Sequence, residues 1–399
     1  MSRQFSIPTV LRMVPNALLR EFFNQLGQSE FDPCWEELHN HEIDPILDYI
    51  TDLPSSQANW LEQELRSIYE LSCDSGIVAI NEAARVLGFA ELPLQVPDGM
   101  TVHGRAMWTR LFHCDVFEAA LVIHQVDNLS WWRKRNDLPL NVPDCSTDAI
   151  DRLERSISSL LKSQGRGKDC TVETYARGNV DYFFAYPDDF VETAHMHDDA
   201  GQLLAQAIRK TMQLVLAYDR TEGTLESYAK LNKPMKEQLE HVFADCILHW
   251  KLGMYEPGQA YELNHLKDES FHLVTDPRDC VRARIVKMRL SSLTNGRRLS
   301  VEIDREDPAE TIHRAIAECL DTEGIPLWQW KVSGTSICFE FLPMAGRKPG
   351  QQTIDISFPR SCNLRSARSE RVELIQKYLK LWNIDCVPSD KVRVVAVGA

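Results

Sequence analysis

The sequence predicts an α+β chain of several domains: an all-helical N-terminal third, then an antiparallel sheet with a helix, then a mixed α+β C-terminal region. Three observations lead there. Apolar residues recur at helical spacing up to about Gly165. They alternate at strand spacing after the Gly165-Arg166-Gly167 break, and from near Tyr261 the two patterns mix. The expected domains are residues 1–165, 166–260 and 261–399, and 399 residues are enough to bury two or three separate cores.

In the first third, Pro15 suits a first helical turn. Leu18, Leu19, Phe22, Phe23 and Leu26 recur on one face before Gly27 stops the run. Pro45 opens a short helix. Ser55 or Ser56 caps a longer one whose apolar face is Trp60, Leu61, Leu65, Ile68 and Leu71, and another follows over Ile77–Leu87. The Pro-free stretch from His103 to Val126 predicts one central helix. Ser146 or Thr147 caps the last helix, with Ile150, Leu153, Ile157, Leu160 and Leu161 aligned; no sheet is expected before Gly165.

Val172–Tyr175 and Val180–Tyr186 flank Arg177-Gly178-Asn179, while Met212–Tyr218 and Leu225–Ala229 flank Thr221-Glu222-Gly223. Two hairpins predict a four-stranded antiparallel sheet. In Val180–Tyr186 both alternating sets are apolar, so this strand is expected to be covered on both faces. Asn232 and Pro234 then start a helix whose stripe of Leu239, Val242, Phe243, Cys246, Ile247 and Trp250 covers the sheet.

In the final region Leu299–Asp304 alternates, and Asp307-Pro308-Ala309-Glu310 resembles a capping box. Trp328–Val332, Ile337–Phe341 and Ile354–Phe358 read as strands. Val372, Ile375, Tyr378, Leu379 and Trp382 form the buried face of a helix, and Lys391–Val397 reads as an edge strand.

Composition narrows the class. Forty-four per cent hydrophobic and 26% charged residues are globular values, so order is expected nearly throughout. The eleven cysteines are scattered, with no C-x-x-C pair, which suits reduced thiols better than a disulfide framework or zinc knuckle. The N-terminus lacks the pattern of an export signal and no apolar run reaches membrane length, so the protein reads as cytoplasmic with no membrane association. A net charge of −14 argues against a whole-surface role in coating nucleic acid, but leaves room for a local basic patch.

Four clusters are candidates for chemistry or binding. His195, His197 and Asp198 carry ligand types that zinc, manganese or iron accept, set in what reads as a polar loop after a strand. His241, Asp245 and His249 fall at i, i+4 and i+8, as a metal row or as an exposed polar helix face. Arg282, Arg284, Lys287, Arg289, Arg297 and Arg298 form a basic hairpin suited to nucleic-acid phosphates. Their parity changes midway, so either a bulge lies near Ile285-Val286 or the charges face both ways; Glu302, Asp304, Glu306 and Asp307 can neutralise them internally. Trp131-Trp132-Arg133-Lys134-Arg135 joins aromatic and cationic groups as a base-stacking platform does, or anchors a helix end in the core. There is no G-x-S-x-G, G-x-x-x-x-G-K-[ST], G-x-G-x-x-G or H-E-x-x-H motif.

Tyr182–Phe190, Glu222–Leu225, Phe243–Leu248 and Ile356–Leu364 resemble segments of a group of uncharacterised bacterial proteins. The resemblance covers the last two thirds of the chain and implies bacterial origin, with no activity attached. Two functions follow as expectations. The first is a non-enzymatic binding or regulatory protein, without cofactor, that contacts a protein partner or nucleic acid, within a defence or mobile-element system. The second is a metal-dependent hydrolase or nuclease using the central histidines and aspartates. The lack of a complete catalytic constellation favours the first.

Overall fold

The structure is a computed structural model describing residues 4–28, 30–39, 42–197, 201–255, 260–307, 309–320, 325–344, 347, 349–366 and 369–386. The chain forms two compact units, one of Met1–Asn128 with Asp199–Gly201 and one of Leu129–Asp198 with Gln202–Ala399.

The first unit is helical: α1 (Ile7–Met13), α2 (Asn16–Gln25), α3 (Asp44–Asp52), α4 (Ser55–Leu71), α5 (Asp74–Val86), α6 (Leu92–Gln95), α7 (Val102–Phe112) and α8 (Cys114–Asn128). The predicted faces of α2 and α4 are buried, with Leu19, Phe22, Phe23, Leu65, Ile68 and Leu71 nearly inaccessible. Trp60 is the exception: its side of α4 faces solvent and it is 45% exposed. The expected single helix from His103 to Val126 is two helices. His113 leaves helical geometry (φ −143°, ψ 63°), and the corner lets α8 return along α5; nothing local such as Pro or Gly marks it.

The second unit is built on one antiparallel sheet: β1 (Trp132–Arg135), β2 (Cys170–Arg177), β3 (Val180–His197), β4 (Leu203–Thr211), β5 (Leu214–Asp219), β6 (Thr224–Tyr228), β7 (Val281–Ser292), β8 (Arg298–Glu302), β9 (Trp330–Phe341), β10 (Gly350–Ser357) and β11 (Ser361–Cys362). The order is β2-β3-β5-β6-β1-β11-β10-β9-β7-β8, with β4 paired to the outer part of β3. The helices are α9 (Thr147–Lys162), α10 (Lys233–Ile247), α11 (Ile312–Cys319) and α12 (Ser369–Leu381).

Both predicted hairpins are present, and β2-β3-β5-β6 is the expected four-stranded set. Leu239, Phe243 and Ile247 of α10 share a core with Phe183, Leu214 and Leu216, and α9 adds Leu153, Ile157 and Leu161 to the same layer. Two of the expected caps hold: Asn232 Oδ1 accepts from Met235 N at 3.0 Å and Ser146 Oγ from Ala149 N at 3.4 Å, whereas Ser55 and Ser56 lie inside α4, which follows Pro54 without a side-chain cap.

Several expectations are corrected. A strand does lie before Gly165: β1 pairs with β6 on one side and β11 on the other, joining the strands of the central and C-terminal regions into one sheet. Strand β3 does not end at Tyr186. It changes partner at Pro187, where a missing N–H is least costly, and runs on as a ribbon with β4. Two expected strands, Trp328–Val332 and Ile337–Phe341, are one continuous β9. Helix α11 starts after Thr311, whose hydroxyl accepts from Arg314 N, rather than at Asp307. Pro308 and Lys391–Val397 lie outside the described residues.

The short strand β1 is buried on both faces although it reads Trp-Arg-Lys-Arg. Alternation sends Arg133 and Arg135 to one face, where Glu240 of α10 accepts from Arg133 Nε at 2.9 Å and Arg135 Nη1 at 3.5 Å, with Arg360 as a third donor. On the other face Lys134 Nζ lies 2.7 and 3.0 Å from the carboxylate oxygens of Asp385. Burial pulls the Lys134 amine down, but Asp385 and Glu226 carry it above its ordinary range.

Candidate ligand-binding cleft

Strand β7 follows Cys280, which sits in the left-handed region (φ 49°), and pairs with β9 along its whole length. Ile285 stands opposite Ile337 and Lys287 opposite Ser336, so Val286 is an extra, bulged residue. The bulge resolves the parity of the basic residues. Arg282 and Arg284 before it, and Lys287 and Arg289 after it, fall on the same face as Glu340, Cys338, Ser336 and Gly334.

Three of these four cations are engaged by the fold. Lys287 Nζ is 2.6 Å from Glu302 Oε2 of β8. Arg289 lies flat over β9 and donates to Ser357 Oγ at 2.6 Å; Gly334 permits this, because a Cβ there would collide with the guanidinium. Arg284 donates to the carbonyls of Asp304 and Arg305 at 3.3 Å each and of Glu310 at 3.0 Å, which closes the loop between β8 and α11. Because Lys287 and Glu302 are both substantially exposed, Glu302→Ala is expected to cost under about 1 kcal/mol, read as a small shift in the urea midpoint.

Arg282 is different. It is exposed and has no hydrogen-bond or ion-pair partner among the described residues. It stands at the wall of a cleft of about 830 Å³ between the start of β7, the loop after β8 and the first turn of α11. Arg284, Arg305, His272 and His313 also reach this cleft, and Ile285, Ile303 and Ile312 supply apolar lining. His313 is held by its Nε2 against the Leu266 carbonyl at 2.8 Å. Glu306, Glu310 and Glu340 are the acidic members. The N-terminal turn of α11 adds partial positive charge. A space of this size with an apolar lining and a few convergent charged groups has the make-up of a small-molecule or chain-segment site.

The remaining candidates do not assemble with it. Arg297 and Arg298 are exposed beside the Asn295-Gly296 turn. Arg298 pairs with Ser291, nine residues along β7 from Arg282, or roughly 30 Å at strand rise. His195 and His197 sit on β3, not in a loop, exposed opposite Ala205 and Leu203; Asp198 lies outside the described residues. Helix α10 ends at Ile247, so His249 leaves the row with His241 and Asp245 and instead meets Asp144 Oδ2 at 2.9 Å. Among the described residues no three His, Cys, Asp or Glu side chains come together as a metal-binding group. Trp131 is half-exposed, but Trp132 is buried beneath the Arg365 guanidinium at 4.9 Å, so the Trp-Arg run is not an open stacking platform.

Sequence reasoning found Arg282 and Arg284 but not the cleft. Its other walls come from His272, Arg305, His313 and Glu340, brought in by strand pairing and by the loop that Arg284 closes. All eleven cysteines carry free thiols, and no helix among the described residues is long and apolar enough to cross a membrane. The chain matches no known protein-family model and no curated protein sequence.

Proposed function

We propose that the chain is a binding or regulatory protein without chemistry of its own, and that the cleft beside β7 receives a phosphate-bearing ligand, a nucleic-acid segment or a nucleotide. The observation that carries this reading is Arg282: an arginine at the cleft wall whose guanidinium is not used by the fold, next to an arginine that is fully used. Fork geometry and permanent charge suit Arg282 to a phosphate. The first turn of α11 and the apolar lining give the same ligand a second point of attachment. The carboxylates of Glu306, Glu310 and Glu340 make the cleft selective, since they favour a ligand that also offers hydrogen-bond donors.

The test is a fluorescence-anisotropy titration at two salt concentrations with single- and double-stranded DNA and RNA and with labelled nucleotides. Arg282→Ala is expected to weaken binding about tenfold, the worth of one charge-assisted hydrogen bond, with the melting temperature unchanged. For a nucleic acid the salt slope should fall by close to one unit. Arg297→Ala with Arg298→Ala is the control: loss of binding in that variant alone would move the site to the turn. No complex at low salt, or full binding by Arg282→Ala, would refute the phosphate assignment and leave a protein partner.

A further inference from the structure

We propose that Cys73 is a nucleophilic thiol, primed by His124 and open to covalent modification by small disulfides. The site lies in the helical unit and is independent of the cleft. Cys73 is the N-cap of α5, and its Sγ accepts from Gly76 N at 3.4 Å, so the thiol occupies the positive end of a thirteen-residue helix. Helix α8 places His124 beside it, with Nε2 3.6 Å from Sγ. Ser75 Oγ bridges the two, 3.2 Å from Sγ and 3.2 Å from Nε2. Asn128, one turn further along α8, has Nδ2 3.1 Å from the same Nε2 and donates to the His124 carbonyl at 2.8 Å, which fixes the ring at the helix end.

A thiol, a ring nitrogen within proton-transfer reach and a helix N-terminus are the three conditions that hold a cysteine as thiolate near neutral pH. Burial works against the charge, yet hydrogen bonds from His124, Ser75 and Gly76 bring the thiol down to about 6. This holds although acidic Glu70, Asp74 and Asp127 lie on the three helices that meet here. In the neutral form the S–H has an alternative acceptor, the Glu70 carbonyl at 3.6 Å. Cys73 is partly accessible, whereas Cys34, Cys145 and Cys319 are more exposed. Burial pushes the Cys145 thiol up, and its neighbours Asp181 and Asp144 add to that.

The step balances without a further reagent. His124 takes the Cys73 proton, and the thiolate sulfur attacks one sulfur of R–S–S–R. A Cys73–S–S–R bond forms, the old S–S bond breaks, and its electron pair leaves as RS⁻, which recovers the proton from His124 as RSH. The Cys73 sulfur is oxidised and the departing sulfur reduced.

The experiment uses the full chain, iodoacetamide and glutathione disulfide as probes, and peptide mass mapping from pH 6 to pH 9. A lowered thiol has more thiolate but a weaker nucleophile, so its advantage grows as pH falls. At pH 6 Cys73 should alkylate about tenfold faster than Cys34, Cys145 or Cys319, and its rate should level off above about pH 7 while theirs continues to rise. Glutathione should appear first on Cys73. His124→Gln should remove the plateau and lower the pH 6 rate about tenfold. The proposal is overturned if Cys73 reacts no faster than the exposed cysteines at pH 6, or if its rate climbs in parallel with theirs to pH 9. Should His124→Gln fail to fold, the pH profile of the unaltered protein decides alone.

Discussion

Replacing Glu240 by alanine is expected to destabilise the second unit by about 3–5 kcal/mol, seen as a fall in the urea midpoint at constant slope. Glu240 is 1% exposed and is the shared acceptor of Arg133, Arg135 and Arg360, which are themselves buried. Burial already pulls the Arg360 guanidinium below its ordinary range and the neighbouring Arg133 charge adds to this; Glu240 is the main group that opposes both, with a smaller contribution from Tyr255. Alanine would leave three cations in a low-dielectric seam, with Asp137 still serving Arg135 and Glu237 still serving Arg133. Water would have to enter, or β1 would have to separate from α10. Glu237→Ala is the matched control. Glu237 is 45% exposed by side chain and, among the described residues, pairs with Arg133, so its loss should cost no more than about 1 kcal/mol. A Glu240→Ala midpoint close to that of Glu237→Ala would show that the seam is already hydrated and that the cluster adds little. Replacing Glu240 and its arginines together by apolar residues is expected to recover much of the loss, since the cost comes from uncompensated charge.

The same cluster shows what was legible in the sequence and what was not. Helices α2, α9 and α10 were readable because their apolar stripes, and in α9 and α10 their caps, are local, within one or two turns of chain. The bulge at Val286 was readable as one of two alternatives, because parity along a strand is also local. Strand β1 was not. Its four residues carry three positive charges, and what makes them a core strand is carboxylates 107 and 251 positions away at Glu240 and Asp385. The extension of β3 was hidden because Pro187-Asp188-Asp189 has the composition of a turn, whereas in the fold it marks the change of pairing partner. The candidate sites divide in the same way. Arg282 and Arg284 announce themselves by composition; the cleft they line depends on loop closure. The Cys73–His124 pair spans 51 positions and two helices, so no spacing rule would find it. In each case the signal that was missing is a long-range pairing of polar groups, which leaves no periodicity.

Gly76→Ala is expected to destabilise the helical unit by about 2–3 kcal/mol, and Gly104→Ala to leave it unchanged or stabilise it by up to about 1 kcal/mol, although both glycines lie in the first turn of a buried helix. The difference is what a new methyl group would meet. At Gly76 a Cβ would fall 2.5 Å from the Leu71 Cα and 2.6 Å from its carbonyl carbon, with the carbonyl oxygen closer still. Those are backbone atoms at the end of α4, and no rotamer change can withdraw them, so α5 would have to move away from α4. At Gly104 the nearest atoms are the Pro15 Cδ and Thr101 Oγ1, each at 3.5 Å, which is ordinary contact, and alanine lowers the entropy of the unfolded chain and favours the helix. The Gly76 substitution has a second readout. The Gly76 N–H is one of the groups that hold the Cys73 sulfur, and a shift of the α5 N-terminus would draw the thiol away from it. Alkylation of Cys73 at pH 6 should therefore slow in Gly76→Ala and stay as in the unaltered protein in Gly104→Ala. Thermal unfolding of the two variants, followed by circular dichroism at 222 nm, gives the first comparison. Equal melting temperatures would mean that the α4–α5 corner relaxes without cost, and the close approach of the two helices at Gly76 would lose its assigned role.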